Sequence, residues 1–274
     1  MLDVDSEAIP FDRHTRCRKR EIPPCLDEPD GRVIRLKERS LLMLTQDLIL
    51  RNPLRLLGHE NDDILNAGQF GAILARAGVG KTALVIQIAL NSMLRNRNVL
   101  HISLNEPIAK ANLWYQEVLE RLAQQYQVAN LDQLWDAIVP HRFIMTFRVE
   151  GFSAPKLEER LTDLTSQNIF SPNMIIIDGH PFDEEAPAAL SELKQLAERL
   201  DLPIWFTITT HRHEAPAPDG LPIQLSPVQN LFQVAIALQP EDNTVLIKPI
   251  KGCSVSESQQ PLVLDPATMM IRQE

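Results

Sequence analysis

"QFGAILARAGVGKTALVIQIAL", residues 69–90, decides how the rest of the chain is read. A short apolar run, Phe70 to Leu74, ends in a loop carrying Gly78 and Gly80. Lys81 and Thr82 follow, and then apolar residues at helical spacing. A glycine-bearing loop that opens a helix aims several backbone N–H groups at one point, beside the positive end of the helix dipole. Such a cradle suits a polyphosphate. Gly80 would let the backbone approach it, Gly78 would relieve the bend, Lys81 would reach the β- and γ-phosphates, and the Thr82 hydroxyl would ligate Mg²⁺. Ala75 replaces the first Gly of the usual pattern, at a position that closes the strand instead of wrapping phosphate. The expected binding segment is therefore Ala75, Arg76, Ala77, Gly78, Val79, Gly80, Lys81, Thr82 and Ala83, with ATP and Mg²⁺ as its ligands.

Outward from this segment, strand-like and helix-like stretches alternate. "NVLHISL", "RFIMTF", "MIIID" and "PIWFTIT" read as strands. "AKANLWYQEVLERLAQQY", "LDQLWDAIV", "SAPKLEERLTDLTSQN" and "PAALSELKQLAERL" read as helices, with Ser153 a candidate cap and Pro155 in a first turn. "MIIID" lacks polar alternation, as a strand buried on both faces does. The pattern predicts an α/β fold, a mainly parallel sheet flanked by helices. After Thr210 a Pro-rich loop leads to "FQVAIAL", "TVLIKPI", "PLVLD" and "MMIR" without intervening helices, which predicts an antiparallel C-terminal extension. Residues 1–39 are polar, with a basic cluster (Arg16, Arg18, Lys19, Arg20) followed by acidic residues. They read as an arm, disordered or docked on another protein, ahead of a single domain over 40–274.

Binding phosphate is not yet chemistry. A carboxylate must help hold the metal, and Asp178 closes the hydrophobic strand "MIIID" where one is needed. A second carboxylate should orient the attacking water, and Glu106, just after "HISLN", is the candidate. Successive strand side chains alternate between faces. Asn105 and Glu106 therefore compete for one position, unless the strand has ended before them.

At these residues the chain resembles the RecA superfamily of P-loop NTPases, nearest to its DnaB and KaiC branches. "ILARAGVGKTALVIQIALN" is similar to the DnaB-type loop, where Ala-Arg also precedes the glycines. "VLHISLNEP" resembles the strand that ends in a catalytic Glu, although that Glu falls on Asn105 here, with Glu106 one residue later. "IWFTITTHR" resembles the sensor strand, with Thr210 and His211 in place of the common Gln. "TVLIKPIKG" resembles the late hairpin whose basic residues reach a neighbouring subunit's γ-phosphate, which points to Lys248 and Lys251. The resemblance implies a self-associating, Mg-dependent ATPase, a motor or regulator. Alternatives are a nucleotide-dependent switch or scaffold with little hydrolysis, and a helicase or recombination accessory protein. A rival, weaker resemblance is to the MinD/ArsA class, where a signature Lys occupies the place of Arg76.

Bulk properties narrow the classes. The 274 residues are 44% hydrophobic, enough for a sizeable core, and only 5% aromatic. A net charge of −9 argues against general nucleic-acid binding, and the loop Ala215–Pro227 contains neither Lys nor Arg. Cys17, Cys25 and Cys253 form no CxxC pair and suit free thiols in a reducing compartment. No signal-like start and no run of membrane-spanning length is present, so a cytoplasmic protein is expected. His211 and His213 have i, i+2 spacing but no third metal ligand. Trp114, Trp135 and Trp205 read as core residues.

Overall fold

The fold is described from a computed structural model over residues 43–57, 64–128, 130–211, 213–252 and 261–273. All of these belong to the unit Ser40–Glu274. The expected N-terminal arm, the three cysteines and Arg212 lie outside the described residues.

A single nine-stranded mixed sheet forms the centre. Its strands are β1 (Phe70–Ala75), β2 (Val99–Ser103), β3 (Arg142–Thr146), β4 (Met174–Asp178), β5 (Ile204–Thr209), β6 (Phe232–Glu241), β7 (Thr244–Lys251), β8 (Leu262–Leu264) and β9 (Ile271–Gln273), in the order β3-β2-β4-β5-β1-β6-β7-β8-β9. The first six are mutually parallel, and β7 to β9 add an antiparallel meander. The helices are α1 (residues 43–51), α2 (Lys81–Leu94), α3 (Ile108–Gln125), α4 (Leu131–Ile138), α5 (Ala154–Ser166) and α6 (Ala186–Arg199). The α/β reading and its antiparallel extension agree with this architecture.

The alternation of strand side chains sorts the helices onto two faces. Ile73, Val99, Ile176, Trp205 and Ile236 join one core with α1 to α4. Their sequence neighbours Ala72, Leu74, Leu100, Ile175, Ile177 and Phe206 join the other, with α5 and α6. Strands covered on both faces have no place for polar alternation, which is why "FGAILA" is buried throughout. Gly71 is required inside β1 because a Cβ there would lie 2.6 Å from Trp205 Cε3 and 2.8 Å from Leu65 Cδ1.

Two expectations are corrected. Ser153 precedes α5 but makes no capping hydrogen bond through its hydroxyl. Strand β6 is antiparallel to β7 yet pairs parallel with β1, so only three strands form the antiparallel extension proper. The Pro-rich loop and the 3₁₀ turn Ser226–Leu231 make the crossover that this parallel pairing requires. Trp114 and Trp135 are partly buried and packed against the core, Trp114 also lining a cavity, and Trp205 lies within the core, in line with the expectation.

Candidate functional site

The register of the parallel strands builds the site. Ser103 pairs with Asp178, and Ile177 pairs with Phe206, which brings Thr207 beside Asp178. A polar rung, Ser103–Asp178–Thr207, therefore crosses β2, β4 and β5 at their C-terminal ends, on the face that carries α2. Thr207 Oγ1 donates to Asp178 Oδ1 and accepts from the Gly179 amide at 3.1 Å. Thr82 Oγ1, in the first turn of α2, donates to Asp178 Oδ2 at 3.2 Å. Both carboxylate oxygens are thus fixed by hydroxyls.

Gly78 and Gly80 take positive φ, 78° and 113°, and bend the chain between β1 and α2. A Cβ on Gly80 would lie 2.5 Å from Leu264 Cδ2, so glycine is needed there for space as well as for backbone shape. Lys81 folds back over the loop, with Nζ donating to the carbonyls of Ala75 at 2.9 Å and Arg76 at 3.0 Å. Burial lowers its pKa from the ordinary lysine value, and the Asp178 carboxylate partly offsets this.

The turn after β2 separates Asn105 from Glu106. The strand ends at Ser103. Ser103 Oγ then donates to the Glu106 carbonyl at 2.8 Å and accepts from the Glu106 amide at 3.1 Å. This tight turn breaks the strand alternation and puts Glu106 in the wall of one cavity. Asn105 lines a different one, its Nδ2 donating to the Gly179 carbonyl at 3.3 Å. Glu106 also accepts a hydrogen bond from Lys110 Nζ at 2.6 Å, one helical turn away.

One cavity of about 200 Å³ brings together Gly78, Gly80, Lys81, Thr82, Ala83, Glu106 and Asp178. Ala75 and Arg76 line instead a neighbouring cavity of about 640 Å³, which Lys248 shares. Ala77 is exposed, and Val79 packs against the core. Lys248 is exposed, while Lys251 Nζ is tied to the Gln229 carbonyl at 2.8 Å. Ala75 and Arg76 thus meet Lys81 through their carbonyls but line a different cavity, and the two hairpin lysines have different surroundings.

Sequence reasoning missed six wall residues: His101, Ser103, Lys110, Ala111, Trp114 and Met269. A polar residue inside the two-sided strand "NVLHISL" was a usable signal for His101, which is 1% exposed with Nδ1 3.1 Å from the Tyr115 hydroxyl. Burial drives its pKa down to about 4, the Asp178 carboxylate opposing and the Arg142 guanidinium adding to the shift. Met269 comes from the turn before β9, and nothing in its local sequence ties it to a loop at residue 80.

Among the described residues no group of three or more His, Cys, Asp or Glu is placed to hold a metal, His211 and His213 included. The Thr82–Asp178 pair is a different donor set, two hard oxygens facing one cavity. It suits a magnesium ion that keeps most of its ligands as water and phosphate. No described helix is long and apolar enough to cross a membrane. No protein-family model matches the chain, and no curated protein matches its sequence.

Proposed function

We propose that this chain is a RecA-like P-loop ATPase of the DnaB/KaiC kind, which binds Mg–ATP, hydrolyses it and self-associates. The observation that carries the reading is the convergence of Lys81, Thr82, Asp178 and Glu106 on one cavity at the C-terminal ends of parallel strands. This is where α/β sheets place their ligands. The loop amides and Lys81 hold the phosphates once Lys81 exchanges its own loop carbonyls for phosphate oxygens. Thr82 and Asp178 hold magnesium, which supplies charge neutralisation at the β- and γ-oxygens when bound. Glu106 accepts a hydrogen bond from the attacking water and orients it. Lys248 acts across a subunit contact, neutralising charge as the terminal phosphate leaves.

Phosphate release from Mg–ATP tests the reading directly. Wild type hydrolyses, Lys81→Ala loses both binding and turnover, and Glu106→Gln keeps binding while kcat falls by on the order of 10²–10⁴-fold. Failure of wild type to bind Mg–ATP, or turnover that persists in both variants, overturns it. A second reading, a nucleotide-bound switch or scaffold with little turnover, is favoured by the 2.6 Å Glu106–Lys110 contact, which engages one oxygen of that carboxylate. Tight binding with negligible turnover in wild type selects that reading.

A further inference from the structure

A second cavity, about 530 Å³, opens where β4 and β5 end, on the far side of Thr207 from the magnesium pair. Asn105, His180, Phe182, Thr209, Glu214 and Gln224 are among its walls, and it has no Lys or Arg among the described residues that line it. The hydrogen-bond valences of these groups fix what they present. The Gly179 carbonyl can only accept, so it holds the Asn105 Nδ2 and leaves Oδ1 available. His180 is 8% exposed, and its Nδ1 lies 2.6 Å from the Pro181 carbonyl, which again can only accept. Nδ1 therefore carries the proton of the neutral ring, and Nε2 is left as a lone pair without a partner among the described residues. Burial lowers the His180 pKa and keeps the ring neutral, its Pro181 hydrogen bond and Asp183 opposing. The Glu214 carboxylate takes one hydrogen bond from Gln224 Nε2 and has acceptor capacity to spare. Phe182 offers an aromatic face.

We propose that this cavity is a second ligand site, selective for an ammonium or guanidinium group. Acceptors of three chemistries and an aromatic ring line it, and among the described residues no Lys or Arg does. Charge-assisted donation from the cation to the Glu214 carboxylate, Asn105 Oδ1 and His180 Nε2 holds it. Such a group is carried either by a free polyamine or by a Lys or Arg side chain of a peptide.

The test is calorimetric titration of the full chain, without nucleotide, with spermidine and separately with a terminally blocked Lys-containing peptide. Because no nucleotide is present, the outcome is independent of ATP binding. Saturable 1:1 binding is expected from at least one titrant. Glu214→Gln should weaken it about tenfold or more, and His180→Phe and Asn105→Leu should weaken it as well. Glu192→Gln, on the exposed side of α6, should leave it unchanged. Binding of spermidine alone identifies a small amine, and binding of the peptide alone a protein side chain. Glu214 is exposed, so its variant reports on binding even if His180→Phe fails to fold. No saturable binding by either titrant overturns the site. Equal weakening by Glu192→Gln, or tighter binding of inorganic phosphate, overturns it too.

Discussion

Single residues already carry testable consequences. His101 has its proton affinity depressed on folding, to about 4 from the ordinary 6.5. Below pH 6.5 the unfolded chain takes up a proton that the folded one refuses, so stability falls as pH drops from 6.5 to about 4 and then levels. The depression corresponds to ~3 kcal/mol. His101→Gln removes this dependence, and urea midpoints of the two proteins at pH 7.5 and 4.5 check it. A His101→Gln protein with an unchanged pH slope would show that the ring titrates normally. Lys110 makes a second case. If its contact restrains Glu106, Lys110→Ala raises kcat severalfold with KM little changed, whereas a fall in kcat means that Lys110 positions the carboxylate productively.

At the scale of elements, β1 is held by a close approach that its neighbour Trp205 dictates. Adding one methyl at Gly71 drives it into the rigid, fully buried indole. Gly71→Ala should cost about 1–3 kcal/mol by overpacking. The effect should show in the denaturation midpoint, since Gly71 lies away from the phosphate loop. A tolerated Ala would mean that Trp205 shifts freely. Most elements were legible in the sequence because strands buried on both faces and helices with one apolar stripe have distinct periods. Lys81, Thr82 and Asp178 were legible too, because a local motif or a strand end marks their positions. What was not legible depended on distance. The parallel pairing of β6 with β1 is set by a crossover over residues 210–231 that contains no long helix. Glu106 lines the cavity of Lys81 and Asp178 only because Ser103 folds the turn, and a strand period read through to residue 106 would have placed it elsewhere. Met269 meets Gly80 through the final meander, a contact that no local pattern encodes.

At the scale of the whole molecule, any ligand that binds only the folded state must raise its stability. Mg–ATP at a hundred times its Kd contributes ~2.7 kcal/mol, which for a domain of this size is a rise in Tm of roughly 5–10 °C. Lys81→Ala should abolish the shift, and Asp178→Asn should make it insensitive to EDTA. Thermal melts with and without nucleotide decide both. The last consequence concerns assembly. Lys248 is exposed on β7, in the cavity that Arg76 shares, and does not line the cavity that holds Lys81 and Asp178 of its own chain. On the proposed reading, its contribution to turnover comes from a second copy. Lys81→Ala chains lack a working loop but still offer Lys248, and Lys248→Ala chains keep the loop but offer no cation. Each variant alone should be nearly inactive, and an equimolar mixture should recover a substantial fraction of wild-type turnover, rising with total protein concentration. Full activity of Lys248→Ala alone, or a mixture no better than the sum of its parts, would remove Lys248 from the reaction and leave each subunit to complete its own site.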